Sequence, residues 1–256
     1  MNFFFGIQND VVSSTLEIPI FQNQGIFFSD AVLYKLTILN SQWKIKIIDR
    51  LKKNSSFFHV SNSEINNSDI FFIGSEEDKK KLNSEKLVCF NNFTSHIPQG
   101  PTYRSNLRIQ MDNFGFTSYQ SDYPFNMVGA KGSVVTSLAA VTNKNADKNY
   151  IFFRNIFELP THNKFDIYIV DLKEKKIKTT FEAKTNFSNF FELQNQYLLP
   201  EMFIVSKNYL GIPIYISEKD GQLSMEHTNP PPSSILSSDR LLISKKFKKE
   251  ISEIIN

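Results

Sequence analysis

Phe165-Asp166-Ile167-Tyr168-Ile169-Val170 and Ile177-Lys178-Thr179-Thr180-Phe181-Glu182-Ala183, separated by the charged run Asp171-Leu172-Lys173-Glu174-Lys175-Lys176, carry the fold reading. The second segment alternates apolar and polar residues, with Thr179 on the inner row, as a half-buried strand does. The charged run suits a hairpin turn, so the two segments read as an antiparallel pair. The same rhythm extends to both sides. Ser133 to Val141 and Tyr150 to Phe157 read as a further hairpin. Met202 to Val205, Ile212 to Ile216 and Gln222 to Met225 continue the series, with a turn at Lys219-Asp220-Gly221. Pro213 has no N–H to give a ladder, so its strand is expected at an edge or a bulge. About nine or ten short strands, with regular turn signals and no helix between them, predict an antiparallel β-sandwich. It is expected over residues 102–236.

Upstream the pattern differs. Trp43-Lys44-Ile45-Lys46-Ile47 alternates as a strand, and Asp69-Ile70-Phe71-Phe72-Ile73 fits a strand buried on both faces. Ser75-Glu76-Glu77-Asp78 matches a capping box that opens a short helix, and Lys86 to Phe90 follows as another strand. Together these predict a βαβ fragment inside a small mixed α/β region, residues 1–98. His96-Ile97-Pro98-Gln99-Gly100-Pro101 reads as the linker. At the other end, three prolines, Pro230 to Pro232, give a stiff exit from the last strand. Residues 238–255 then read as an amphipathic helix packed on the body, with Leu242, Ile243, Phe247, Ile251, Ile254 and Ile255 in one stripe. The expected class is therefore α+β and mainly β.

Composition narrows the function classes. Hydrophobic residues are 41% and charged residues 21%, which excludes wholesale disorder. Lys+Arg 29 against Asp+Glu 26 leaves +3, and the last twenty residues supply +2 of it. That balance argues against a nucleic-acid binder working by bulk charge, and the lysines near the C-terminus read as the solvated face of a docked helix. Lysines outnumber arginines 24 to 5, a bias that fits an AT-rich genome. The single cysteine, Cys89, forbids an intrachain disulfide and is expected to be buried in its apolar run. Met1 to Asp10 has neither a basic n-region nor an apolar h-region, and no stretch approaches the ~18 residues of a membrane span. A cytoplasmic protein is the expectation.

The chain lacks a phosphate-binding glycine loop, a nucleophile elbow and any histidine pair at metal-ligand spacing. No metal and no cofactor are therefore expected. Tyr119-Gln120-Ser121-Asp122-Tyr123-Pro124 is the segment that combines flat aromatic faces with an acid, an amide and a hydroxyl. Arg104 and Arg108 precede it on one strand, where alternation puts them on one face. Arg104, Tyr119, Asp122 and Tyr123 are the expected ligand-binding set for a carbohydrate or small polar molecule, the alternative being a tyrosine-rich structural turn. Asp122, Glu226 and His227 are the candidate acid–base residues if the protein is an enzyme. The leading expectation is a non-catalytic binding or accessory protein, for which a protein partner is also open. An enzyme acting on a sugar-like substrate and a structural assembly protein are the alternatives.

Overall fold

The computed structural model describes residues 2–19, 31–52, 55–90, 105–111, 115–132, 134–227 and 238–256. The protein is mostly β, its sheets are antiparallel and an α-helix closes the chain. The chain divides into two compact units. The first comprises residues 1–129 and takes back 155–162 and 185–188; the second comprises 130–154, 163–184 and 189–256. The linker expected at His96–Pro101 lies outside the described residues.

The first unit contains β1 (Asn2–Phe4), β2 (Val12–Pro19), β3 (Val32–Leu39), β4 (Gln42–Arg50), β5 (Phe57–Val60), β6 (Ile70–Gly74), β7 (Asn106–Met111), β8 (Phe116–Gln120) and β9 (Asp122–Pro124). They form two sheets, ordered β4-β3-β6-β1-β9 and β5-β2-β7-β8. In the second, Val12, Leu16, Ile18, Leu107 and Ile109 fill one row while their neighbours turn to solvent, the period-two pattern of a half-buried sheet. Ser14 interrupts that row. Its hydroxyl donates to Ile7 O and accepts from Ile7 N, and a Cβ on Gly6 would meet it at 2.7 Å, so the close approach requires glycine. In the five-stranded sheet Phe72 stacks on Tyr34 at 5.1 Å and on Phe90 at 4.4 Å, with Phe3 edge-on at 6.2 Å. Such pairs add about 0.5–1.5 kcal/mol each beyond their buried area.

The βαβ fragment expected over 69–90 is not formed. β6 pairs antiparallel with both β1 and β3, residues 84–90 make no strand, and Cys89 is exposed rather than buried. Half of the capping chemistry is present: the Asp78 carboxylate accepts from Ser75 N at 2.8 Å, but Asp78 N donates to the Ser75 carbonyl and not to its hydroxyl. Only one 3-10 turn follows it, Asp78–Lys81.

The returning segments complete the first unit. The Trp43 indole donates to Glu158 O, as does Leu87 N, and Asn186 Oδ1 accepts from Phe157 N. Ser188 donates through its hydroxyl to Gly6 O and through its amide to Asn67 O.

The second unit contains β10 (Val134–Ser137), β11 (Lys148–Arg154), β12 (Lys164–Asp171), β13 (Lys176–Lys184), β14 (Ser188–Leu193, all but its first residue), β15 (Met202–Ser206), β16 (Ile212–Lys219), β17 (Gln222–His227) and α1 (Ser238–Ile255). Two four-stranded sheets, β10-β15-β12-β13 and β14-β11-β16-β17, share one apolar core. Ile167, Ile169 and Ile204 from the first meet Ile151, Phe153 and Tyr215 from the second. The predicted hairpin β12–β13 is present with Thr179 opposite Ile169, and a bulge shifts the register at Ile169/Val170. The expected pairing of 133–141 with 150–157 is replaced: β10 joins β15, while β11 joins β16. β16 is central, not an edge. Pro213 lies opposite Phe153, one residue before β17 pairing begins at Ile214, so its missing N–H interrupts no ladder on that side. α1 lays Phe247, Ile251, Ile254 and Ile255 on the outward row of the β10-β15-β12-β13 sheet, against Val170, Val205 and Phe203. Leu242 and Ile243 lie on the helix, with side chains outside the description. Among the described residues, no helix is long and apolar enough to cross a membrane.

Candidate functional site

The tyrosine-rich segment runs from one sheet of the first unit to the other. β8 ends at Gln120 in the four-stranded sheet, and β9 begins at Asp122 beside β1 in the five-stranded one. Ser121 is the corner between them, buried with its Oγ 2.5 Å from Ser105 Oγ. Tyr119 is half-buried opposite Leu107, and Asp122 lies opposite Phe4. Tyr123 is 0% exposed and donates to Met127 O at 3.2 Å, which makes its ring part of the core. Arg104 lies outside the described residues. Arg108 is on the outward row of β7, with its guanidinium carbon 3.6 Å from the centroid of the Phe116 ring. Glu226 is exposed on β17 opposite Tyr215, and His227 ends that strand opposite Ile214, its side chain outside the description. Asp122 thus belongs to the first unit, and Glu226 and His227 to the second. Among the described residues, no three His, Cys, Asp or Glu converge as a metal site.

A cavity of about 230 Å³ lies in the second unit, between the β12–β13 turn and the connection into β15. Asp171, at the end of the apolar run of β12, builds the turn: its Oδ1 accepts from Lys173 N and Glu174 N, both at 2.9 Å. Lys175 takes the left-handed conformation that closes it, φ 51°. The other wall comes from the 3-10 turn Asn195–Tyr197 and residues 199–202, clamped to the hairpin where Leu172 N donates to Glu201 O at 3.0 Å. Asp171, Glu174, Lys178, Gln196, Tyr197 and Glu201 are its principal polar lining.

Electrostatics in the cavity follow from close pairing. Lys178 Nζ stands 3.1 Å from Glu174 Oε2 and 3.7 Å from Asp171 Oδ2. Hydrogen bonds from Lys176 and Lys178, reinforced by their charges, hold the Glu174 carboxyl below the usual carboxylate range. The hydrogen bond to Glu174 correspondingly raises Lys178. A lowered carboxylate is a poor proton carrier near neutral pH, whereas it is a good fixed acceptor. The cavity therefore offers acceptors, amide and ammonium donors and part of the Tyr197 side chain, a set suited to holding hydroxyl groups. In sequence, residues 171–176 read as a turn only. The signal for more was an acid ending an apolar run, facing the Gln196-Tyr197 pair some twenty-five residues on.

Compared with family models, with curated proteins and with solved structures, the chain matches none at a significant level.

Proposed function

We propose that the protein is a non-catalytic binding or accessory protein that holds a carbohydrate or similar hydroxyl-rich molecule in the cavity of the second unit. The observation that carries this reading is the mixed lining: Asp171 and Glu201 to accept, Gln196 and Lys178 to donate, and Tyr197 to stack, around about 230 Å³. Pockets for drug-sized ligands run to about 300–1,000 Å³, so this one suits a single sugar unit rather than a cofactor. The paired charges are already compensated within the protein, which favours a neutral polar ligand over a strongly charged one.

Saturation-transfer NMR against a panel of neutral monosaccharides and small anions tests it. Gln196→Ala is expected to weaken binding of a neutral sugar by about 5–150-fold, the span of one lost buried partner, with the melting temperature unchanged, and Tyr197→Ala to weaken it likewise with some loss of stability, because Tyr197 also packs against the core. Tyr119→Ala and Asp122→Ala form the comparison arm. Loss confined to those two variants moves the site to the first unit, and no binding by any panel member overturns the reading.

A further inference from the structure

We infer that α1 is a latch on the cavity of the second unit: the two walls stand closed while the helix is docked, and drawing it off the sheet opens them and ends binding. The link to binding rests on the reading of that cavity as a ligand site. The cavity floor is the end of the β12–β15 ladder. Asp171 and Met202 are its last paired residues, and both line the cavity. One rung lies beyond them, Leu172 N to Glu201 O at 3.0 Å, and it ties the hairpin wall to the wall that carries Tyr197 and Glu201. Successive residues of an extended chain point to opposite faces. Asp171 and Met202 line the cavity, and Leu172 and Phe203, next to them in the chain, turn to the side where α1 lies.

The helix backs this last rung directly. Phe203 meets the Phe247 ring edge-on at 4.8 Å, and Leu172 packs on the cluster of Val170, Val205 and Ile251. Just past the far end of β15, Lys207 Nζ donates to Asn256 Oδ1, so the helix runs along β15 with its Phe247 end over the cavity floor. Its outer face, Lys245, Lys246, Lys248, Lys249 and Glu250, is exposed, which leaves one apolar stripe to hold it. Lifting the helix wets Leu172 and Phe203 together, and the end of a ladder is where a sheet opens at least cost. Loss of that rung parts Glu201 and Tyr197 from Asp171 and Lys178, the groups that would share one ligand's hydroxyls. The effect is mutual by linkage: a ligand that needs both walls favours the docked helix.

Native-state hydrogen exchange on the full, unmodified chain tests the latch without any ligand. The Leu172 amide and the amides of residues 248–253 are expected to open together, with one free energy and one urea dependence. A Leu172 amide that opens independently of the helix overturns the proposal. Phe247→Ala is expected to raise the opening of both by the same factor, about tenfold or more, and Phe247→Leu by a smaller shared factor should the alanine variant not fold. Faster exchange in the helix with none at Leu172 overturns it as well. A neutral monosaccharide at about 100 times its dissociation constant is expected to slow exchange of the helix amides by about 100-fold, as it must where opening ends binding. Helix amides that keep their free rates while the sugar is bound overturn the link to the site. A chain that binds no sugar overturns the ligand reading instead, and the exchange of the free protein still decides the latch.

Discussion

The outward row of the β5-β2-β7-β8 sheet and that of the β10-β15-β12-β13 sheet have the same strand number and opposite chemistry. The first shows Thr15, Glu17, Asn106, Arg108 and Ser118 to solvent. The second shows Val135, Tyr168, Phe203 and Val205, and α1 lies across it. The inward rows are alike, apolar but for Ser14 in the first and Thr136 in the second. What distinguishes a strand that must be covered from one that faces water is therefore the residues between its core positions, which in β12 are Tyr168 and Val170 and in β7 are Asn106, Arg108 and Gln110. An antiparallel sheet with one wet face reads as alternation, and a covered one loses that alternation.

The contrast can be broken by mutation, most strongly at the helix. Ile251 is 2% exposed against Val170 and Val205, so Ile251→Ala is expected to cost about 2–5 kcal/mol in denaturant unfolding. A cost below ~0.5 kcal/mol would mean that the sheet does not need its cover. Alkaline pH gives a second, smaller effect. Tyr150 lies on the row of β11 that faces away from Ile151 and Phe153, yet it is buried and stacks on Phe190 at 4.9 Å. Burial first, then Glu192 and Glu218, push its hydroxyl up from 10.0 to about 12. The folded chain holds that proton more tightly than the unfolded chain. The associated stability is complete below pH 10.0 and is lost as pH rises towards about 12. Melting temperature followed through that window is expected to fall less steeply in Tyr150→Phe, and parallel curves would show that the ring is more open than its burial indicates. The smallest effect belongs to the wet face. Arg108→Ala removes the guanidinium from the exposed Phe116 ring and is expected to cost about 0.5–1 kcal/mol. A loss as large as that at Ile251 would end the distinction between the two rows.

Much of the second unit was legible because its signals are local. The β12–β13 hairpin, the turn at Asp220-Gly221 with both residues at positive φ, and the apolar stripe of α1 are each written in neighbouring residues. The partners of β10 and β11 were not, since two adjacent strands that join different sheets look like a hairpin from their sequence. In the first unit, Ser75 to Asp78 carries helix-starting chemistry that the structure uses for one turn, and nothing local announces that β6 is paired on both sides by antiparallel strands. Tyr119 to Pro124 reads as unlike regular core, and the chain changes sheet there at Ser121, which is not visible without the topology. The cavity escaped because its two walls are distant in sequence.

The two returns of the chain to the first unit bear on how the protein is made. A ribosome that has released residue 129 has not yet delivered 155–162 or 185–188, and Ser188 follows Gly129 by 188 − 129 = 59 residues. Until it emerges, Gly6 O and Asn67 O lack the donors that Ser188 brings, and until Glu158 emerges the Trp43 indole lacks its acceptor. Domains in tandem ordinarily fold in the order of synthesis, the first complete before the second begins. Here the N-terminal unit lacks these closing hydrogen bonds while β10 to β13 are being made. A gene fragment ending at residue 129 would encode this unit without its last pieces.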